Sequence, residues 1–168
     1  MLTKNDFAAA DWATLRDTPY LTGFAMLLAG SSGLGTIKET IALAQGIMEN
    51  QASEIPLIRD LTSKAEMEAA QGSLRGVIGG AQGKPASESL RQRALDQIRA
   101  SITLLGGKAS AEETDAYRRM IYGVAEKVAN AAREGGILGF GGVQVSAGEQ
   151  ALLDELRTTL QLERVKKA

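Results

Sequence analysis

At three places in the chain a small residue is followed four positions later by Ser or Thr, and three positions after that by Glu: Ser32 to Glu39 (SGLGTIKE), Gly106 to Glu113 (GGKASAEE) and Gly142 to Glu149 (GVQVSAGE). Each reads as a helix stop, a short turn and a capping box, in which the hydroxyl and the carboxylate satisfy backbone N–H groups that a first helical turn leaves unpaired. A chain punctuated in this way is committed to helices joined by tight turns. The boxes are unevenly spaced, so they do not mark a solenoid of fixed period.

The apolar residues between these stops recur at helical spacing. Asp11 reads as the cap of a short helix carrying Trp12 and Leu15. Thr18 and Pro19 read as the N-cap and first turn of the next, with Tyr20, Leu21, Phe24, Ala25, Leu27 and Leu28 apolar nearly all round. After the Thr36 box, Ile37, Ile41, Ala44, Ile47 and Met48 share an expected core face. Ser53 and Pro56 open a segment with Ile55, Ile58 and Leu61, and Ser63 with Glu66 offers a further capping box ahead of Met67, Ala70, Leu74, Val77 and Ile78. Whether 54–80 forms one helix or two stays open. The run Gly79 to Pro85 is a connector, and a helix from about Ala86 to Leu105 follows with Leu90, Ala94, Ile98, Ile102 and Leu105 inward. Tyr117, Met120, Ile121, Val124, Val128 and Ala131 form the stripe of the next helix, and Leu152, Leu153, Leu156 and Leu160 that of the last. Gly23 and Gly123, inside helices, mark close helix crossings.

Only Val143 to Val145 alternates at strand period, too short to hold a sheet. The expected fold is all-α: a single-domain bundle over 1–168 with six to eight helices joined by glycine-rich turns, a loose N-terminus at 1–10 and a frayed C-terminus at 162–168. At 168 residues the chain is long enough to bury its own core.

Composition narrows the chemistry. The chain has no cysteine and no histidine, which removes disulfides, thiolate nucleophiles, iron–sulfur clusters, imidazole bases and the His-containing helical di-iron site. Nineteen basic against twenty acidic residues give no field for nucleic acid. The small groups at Arg91, Arg93 and Arg99 and at Arg164, Lys166 and Lys167 read as solvated faces. The most apolar run, Tyr20 to Ala29, is far short of a membrane span, and no signal-peptide pattern opens the chain, so the expectation is a cytoplasmic protein.

Motifs for cofactors and catalysis fail on spacing. Gly79 to Pro85 has one residue too few between its glycines for a P-loop, and a proline where the magnesium-binding hydroxyl belongs. Gly139 and Gly141 lack the third glycine and the preceding strand of a dinucleotide fingerprint. At Gly30 to Gly33 the second glycine of a hydrolase elbow arrives one place early, and no S-x-x-K occurs. The glycine turns hold almost none of the oxygen ligands of an EF-hand.

Helix, turn and S-x-x-E ahead of a leucine-bearing helix, best seen at Gly142 to Leu156, resembles the tellurite-resistance TerB-like helical fold. That family places an Asp-Gly pair ahead of the Ser. The Asp is missing from all three turns here, so no metal ligand carries over. Glu134 to Ser146 (EGGILGFGGVQVS) also resembles a stretch of uncharacterised bacterial all-helical proteins.

Two candidate sites stand out. Ser31, Ser32, Gly33, Gly35 and Thr36 lie at a helix N-terminus, where free amides and the helix dipole favour an anion, unless Glu39 already occupies those amides as a cap. Ile137, Leu138, Phe140, Val143 and Val145 stand among five glycines in a stretch too apolar for an ordinary solvent loop, which either packs on its own bundle or meets a partner. Trp12 and Tyr122 read as core or half-buried anchors. The expectation is a non-enzymatic helical protein that works through a protein partner or as a homo-oligomer, with no cofactor, metal, nucleic acid or membrane. The alternative is a small-ligand or anion sensor using the Ser31–Thr36 turn or a cavity between helices. An enzyme using carboxylates or Tyr/Lys is a third reading.

Overall fold

A computed structural model of the chain describes residues 1–30, 37–79, 83–133 and 145–162. Among them are seven α-helices: α1 Ala9–Ala29, α2 Ile37–Met48, α3 Pro56–Leu61, α4 Lys64–Gly79, α5 Gly83–Gly106, α6 Ala111–Arg133 and α7 Ala147–Thr159. Short 3-10 turns lie at Lys4–Asp6 and Glu49–Ala52, and no strand occurs among the described residues. Together they form one all-helical domain.

Helix α1, largely apolar from Tyr20 onward, runs through the middle, packed most extensively on α5 and α6 and flanked by α2, α4 and α7. Leu15, Leu21 and Met26 of α1 are fully buried with Ile98 and Leu105 of α5 and Tyr117 and Ile121 of α6. The carbonyl end of α1 is closed from both sides. Ser87 Oγ donates to the Leu28 carbonyl at 2.9 Å. A Cβ at Gly148 would come within 2.5 Å of the Ala29 carbonyl oxygen, so α7 begins against the α1 backbone at a distance only glycine permits.

The expected break at Thr18–Pro19 does not occur, and α1 runs straight through both residues. Proline inside a helix removes the bond to the carbonyl four residues back, here Leu15. The Tyr117 hydroxyl of α6 donates to that same carbonyl at 2.9 Å. Thr18 is no cap: its hydroxyl donates to the Thr14 carbonyl at 2.7 Å and meets the Ser101 hydroxyl at 2.8 Å, both side chains wholly buried.

Residues 54–79 form two helices. Pro56 starts α3, which ends at Leu61 where Thr62 Oγ1 donates back to the Ile58 carbonyl at 2.9 Å. The Ser63–Glu66 capping box is absent, because Glu66 turns away to Lys4 and Arg16. The boxes at Ser110–Glu113 and Ser146–Glu149 form with both reciprocal bonds. Thr36 lies outside the described residues.

The largest departure from the sequence reading is the rotation of α2. Its buried residues are Glu39, Ala42, Leu43, Gly46 and Ile47. Ile37, Ile41 and Met48 are 80%, 51% and 52% exposed, and Ala44 is exposed with them. Two glycine contacts set this rotation. A Cβ at Gly46 would lie 3.3 Å from Val124 Cα on α6, and one at Gly23 of α1 would lie 2.3 Å from Leu43 Cδ1. Facing Gly46 and Leu43 inward carries the Ile37–Met48 stripe to the opposite side. Gly123, in contrast, would place a Cβ within 4 Å of nothing, so only Gly23 of the two expected crossings is one.

Residues 1–8 lie against the bundle. The Leu2 N–H donates to Glu113, Lys4 pairs with Glu66 at 2.6 Å, and Phe7 rests 5.8 Å from Trp12 with Lys108 over its ring.

Candidate functional site

Since α2 and α4 both flank α1, a groove of about 460 Å³ opens between the three helices. Tyr20 and Phe24 of α1, Leu43 and Ala44 of α2, and Met67 and Leu74 of α4 make it largely apolar. Gln71 and Arg75, one turn apart on α4 and both exposed, line it as well, together with Thr40 of α2 and Ala70 of α4. A volume of this size falls within the range of small-molecule sites, roughly 300–1,000 Å³.

Two of the lining residues carry polar groups with no partner among the described residues. Tyr20 is only 6% exposed, and its buried hydroxyl makes no hydrogen bond. Burial pushes its phenol well above the ordinary range, with the neighbouring Asp17 charge acting in the same direction, so the hydroxyl keeps its proton and can donate. Arg75 makes no ion pair or hydrogen bond with any of them.

A compact charge network adjoins Tyr20. Arg16 Nε meets Asp17 Oδ1 at 2.7 Å, and Arg16 Nη1 lies 3.5 Å from Glu66 Oε2. Ser73 Oγ donates to Asp17 Oδ2 at 2.7 Å, tying α4 to α1. Burial works to raise the Glu66 pKa, but Lys4 and Arg16 outweigh it and hold the carboxyl below its usual value. The Arg16 charge is likewise opposed by burial, yet Asp17 and Glu66 hold it more firmly than in a free arginine. With its charges matched, this network fastens helices together and offers nothing reactive.

On the outside of α2, beside the groove, the exposed apolar residues are spaced four, three and four apart, at 37, 41, 44 and 48. That is the a/d spacing of a coiled-coil seam, on a helix whose opposite side is already buried. A helix apolar on two opposite faces calls for cover on both.

A second depression of about 420 Å³ lies between α6 and the α2 end, near Gly46, Gly123 and Glu126. It is polar, and Lys127 and Glu49 pair with each other across it. Among the described residues no three Asp or Glu side chains gather to hold a metal ion, and no helix is long and apolar enough to cross a membrane.

The sequence-derived candidates fall elsewhere. Ser31, Ser32, Gly33, Gly35 and Thr36 lie outside the described residues, as do Ile137, Leu138, Phe140 and Val143. Val145, the described member of the second set, is half-buried against the core. Trp12 is buried, and Tyr122 is half-buried under the Arg157 guanidinium, 5.0 Å from its ring. Neither the groove nor the α2 seam was singled out from sequence. The available signal was the apolarity of α2 on two sides, with Gly46 on one of them.

No protein-family model matches the chain, and no curated protein or solved structure matches it.

Proposed function

We propose that this protein is a non-enzymatic binding protein that associates with a second copy of itself through the outer face of α2. The observation that carries the reading is the exposed Ile37–Ile41–Ala44–Met48 seam, directed to solvent by the Gly46–Val124 and Gly23–Leu43 contacts. Its four-three-four spacing reads the same in both directions. Two α2 helices laid antiparallel about a two-fold axis therefore set Ile37 against Met48 and Ile41 against Ala44 at both ends, the self-complementarity an isologous dimer requires.

A single short helix contributes a small interface, below the roughly 1,200 Å² of standard complexes, which places the dimer in the weak class. Sedimentation across about 10 µM to 1 mM tests it. The expected result is a mass that rises toward twice the monomer and stays at the monomer in Ile41→Asp, with unchanged helicity. A monomer at every concentration contradicts the proposal. The TerB-like resemblance of Gly142 to Leu156 adds no ligand to this reading, because its turn lacks the Asp ahead of Ser146.

A further inference from the structure

We propose that Met48, at the end of the exposed α2 seam, is a redox modification site: oxidation of its thioether to the sulfoxide by a peroxide switches self-association off, and the paired state shields the sulfur in turn. The inference rests on the proposed pairing of α2 helices and supplies its regulation.

The chain has no cysteine, so its five methionines are the only sulfur it carries. Their surroundings differ. Met26 and Met120 are buried, at 0% and 4% exposure. Met67 is half-buried, and its sulfur accepts from Gln51 Nε2 at 3.2 Å. Met1 is exposed but stands outside the seam and outside every helix. Met48 alone of the five joins exposure, 52%, to a place in the seam.

The chemistry needs only the peroxide. A sulfur lone pair attacks one peroxide oxygen, the O–O bond breaks as the S–O bond forms, and the other oxygen leaves as water with the proton released from the transferred one. Sulfur gives up two electrons and the peroxide takes them. A flexible apolar side chain becomes a polar one, and a sulfoxide reductase supplied with a dithiol reverses the change.

In the antiparallel pair Met48 meets Ile37 across the two-fold axis, an apolar side chain with no donor to offer the new oxygen. Symmetry places one sulfoxide at each end of the pair. A loss of about tenfold at each end therefore becomes about a hundredfold in the association constant. The monomer bears the change without cost to its fold, because the core of α2 is built from Leu43, Gly46 and Ile47 on the other side of the helix.

The test treats full-length wild type and Met48→Leu with hydrogen peroxide, locates the added oxygen by mass spectrometry, and sediments both across about 10 µM to 1 mM. Wild type oxidised at Met48 is expected to keep its helicity, to stay monomeric where untreated protein pairs, and to pair again after a sulfoxide reductase has acted. Treated Met48→Leu, which still carries Met1, is expected to pair as it did before treatment. Oxidation at Met48 should slow as protein concentration rises, and oxidation at Met1 should not. Oxidised protein that pairs as well as untreated protein, a Met48 that resists peroxide in dilute protein, or loss of pairing in treated Met48→Leu would each overturn the inference and leave self-association standing. Untreated wild type that stays a monomer throughout removes the self-association reading itself, and this inference with it.

Discussion

The Tyr117 hydroxyl sits 2.9 Å from the Leu15 carbonyl, the acceptor that Pro19 deprives of its helical N–H. One side chain of α6 thus completes the hydrogen bonding of α1 at the residue where proline opens it, in the most buried part of the bundle. Tyr117→Phe removes the donor and leaves that carbonyl unpaired, a cost of about 1–3 kcal/mol read by urea denaturation. In a Pro19→Ala background the backbone N–H restored at that position can serve Leu15 itself, so the same Tyr117→Phe change is expected to cost clearly less. A double-mutant cycle showing simple additivity would contradict this link.

The glycines of α2 and α6 are expected to respond in opposite directions. Gly123→Ala introduces a Cβ that meets nothing within 4 Å, and should stabilise by up to about 1 kcal/mol through helix propensity. Gly46→Ala presses a Cβ to 3.3 Å from Val124 Cα and should destabilise by separating α2 from α6. Thermal melts of the two variants, shifting up and down respectively, check both.

Acid should release the N-terminal segment. Glu66 and Glu113 are both held below the usual carboxylate range; burial opposes this, and Lys4 with Arg16 in one case and Ser110 with Leu2 in the other outweigh it. A depressed folded-state pKa contributes stability that is present above the unfolded value of about 4.3 and lost as pH falls through the folded value. Trp12, the single tryptophan, is 2% exposed and lies beside Phe7. Its emission is expected to shift to the red as pH drops below about 4, and Glu66→Gln should flatten that pH dependence while lowering stability at pH 7.

Much of the fold was legible because capping and periodicity are local. The Ser110–Glu113 and Ser146–Glu149 boxes, and the stripes from Leu90 to Leu105, Tyr117 to Val128 and Leu152 to Leu160, form as their spacing implies. What could not be read is what depends on distant partners. Pro19 resembles a helix start until Tyr117, on another helix, supplies the missing donor. Glu66 resembles a capping residue until Lys4 and Arg16 claim its carboxylate. For α2, apolar residues on two faces leave periodicity without a preference, and the choice is made by where Gly46 lets the α6 backbone approach and Gly23 admits the Leu43 side chain. The groove inherits the same dependence, since Tyr20 and Arg75 are far apart in sequence and share it only through the packing of α1 and α4.

The central claim, an antiparallel pairing of two α2 helices, is tested most directly by cross-linking, because the chain has no cysteine of its own. Ile37 and Met48 are about 16 Å apart along the helix, far beyond the roughly 4.4–6.8 Å Cα separation a disulfide spans. Ile37→Cys and Met48→Cys chains are prepared separately, mixed, and oxidised under mild conditions. Antiparallel pairing predicts a disulfide-linked dimer in the mixture joining the two different variants, and little in either variant alone. Cross-linking within each separate variant, or none in the mixture at concentrations where the wild type self-associates, would contradict the account.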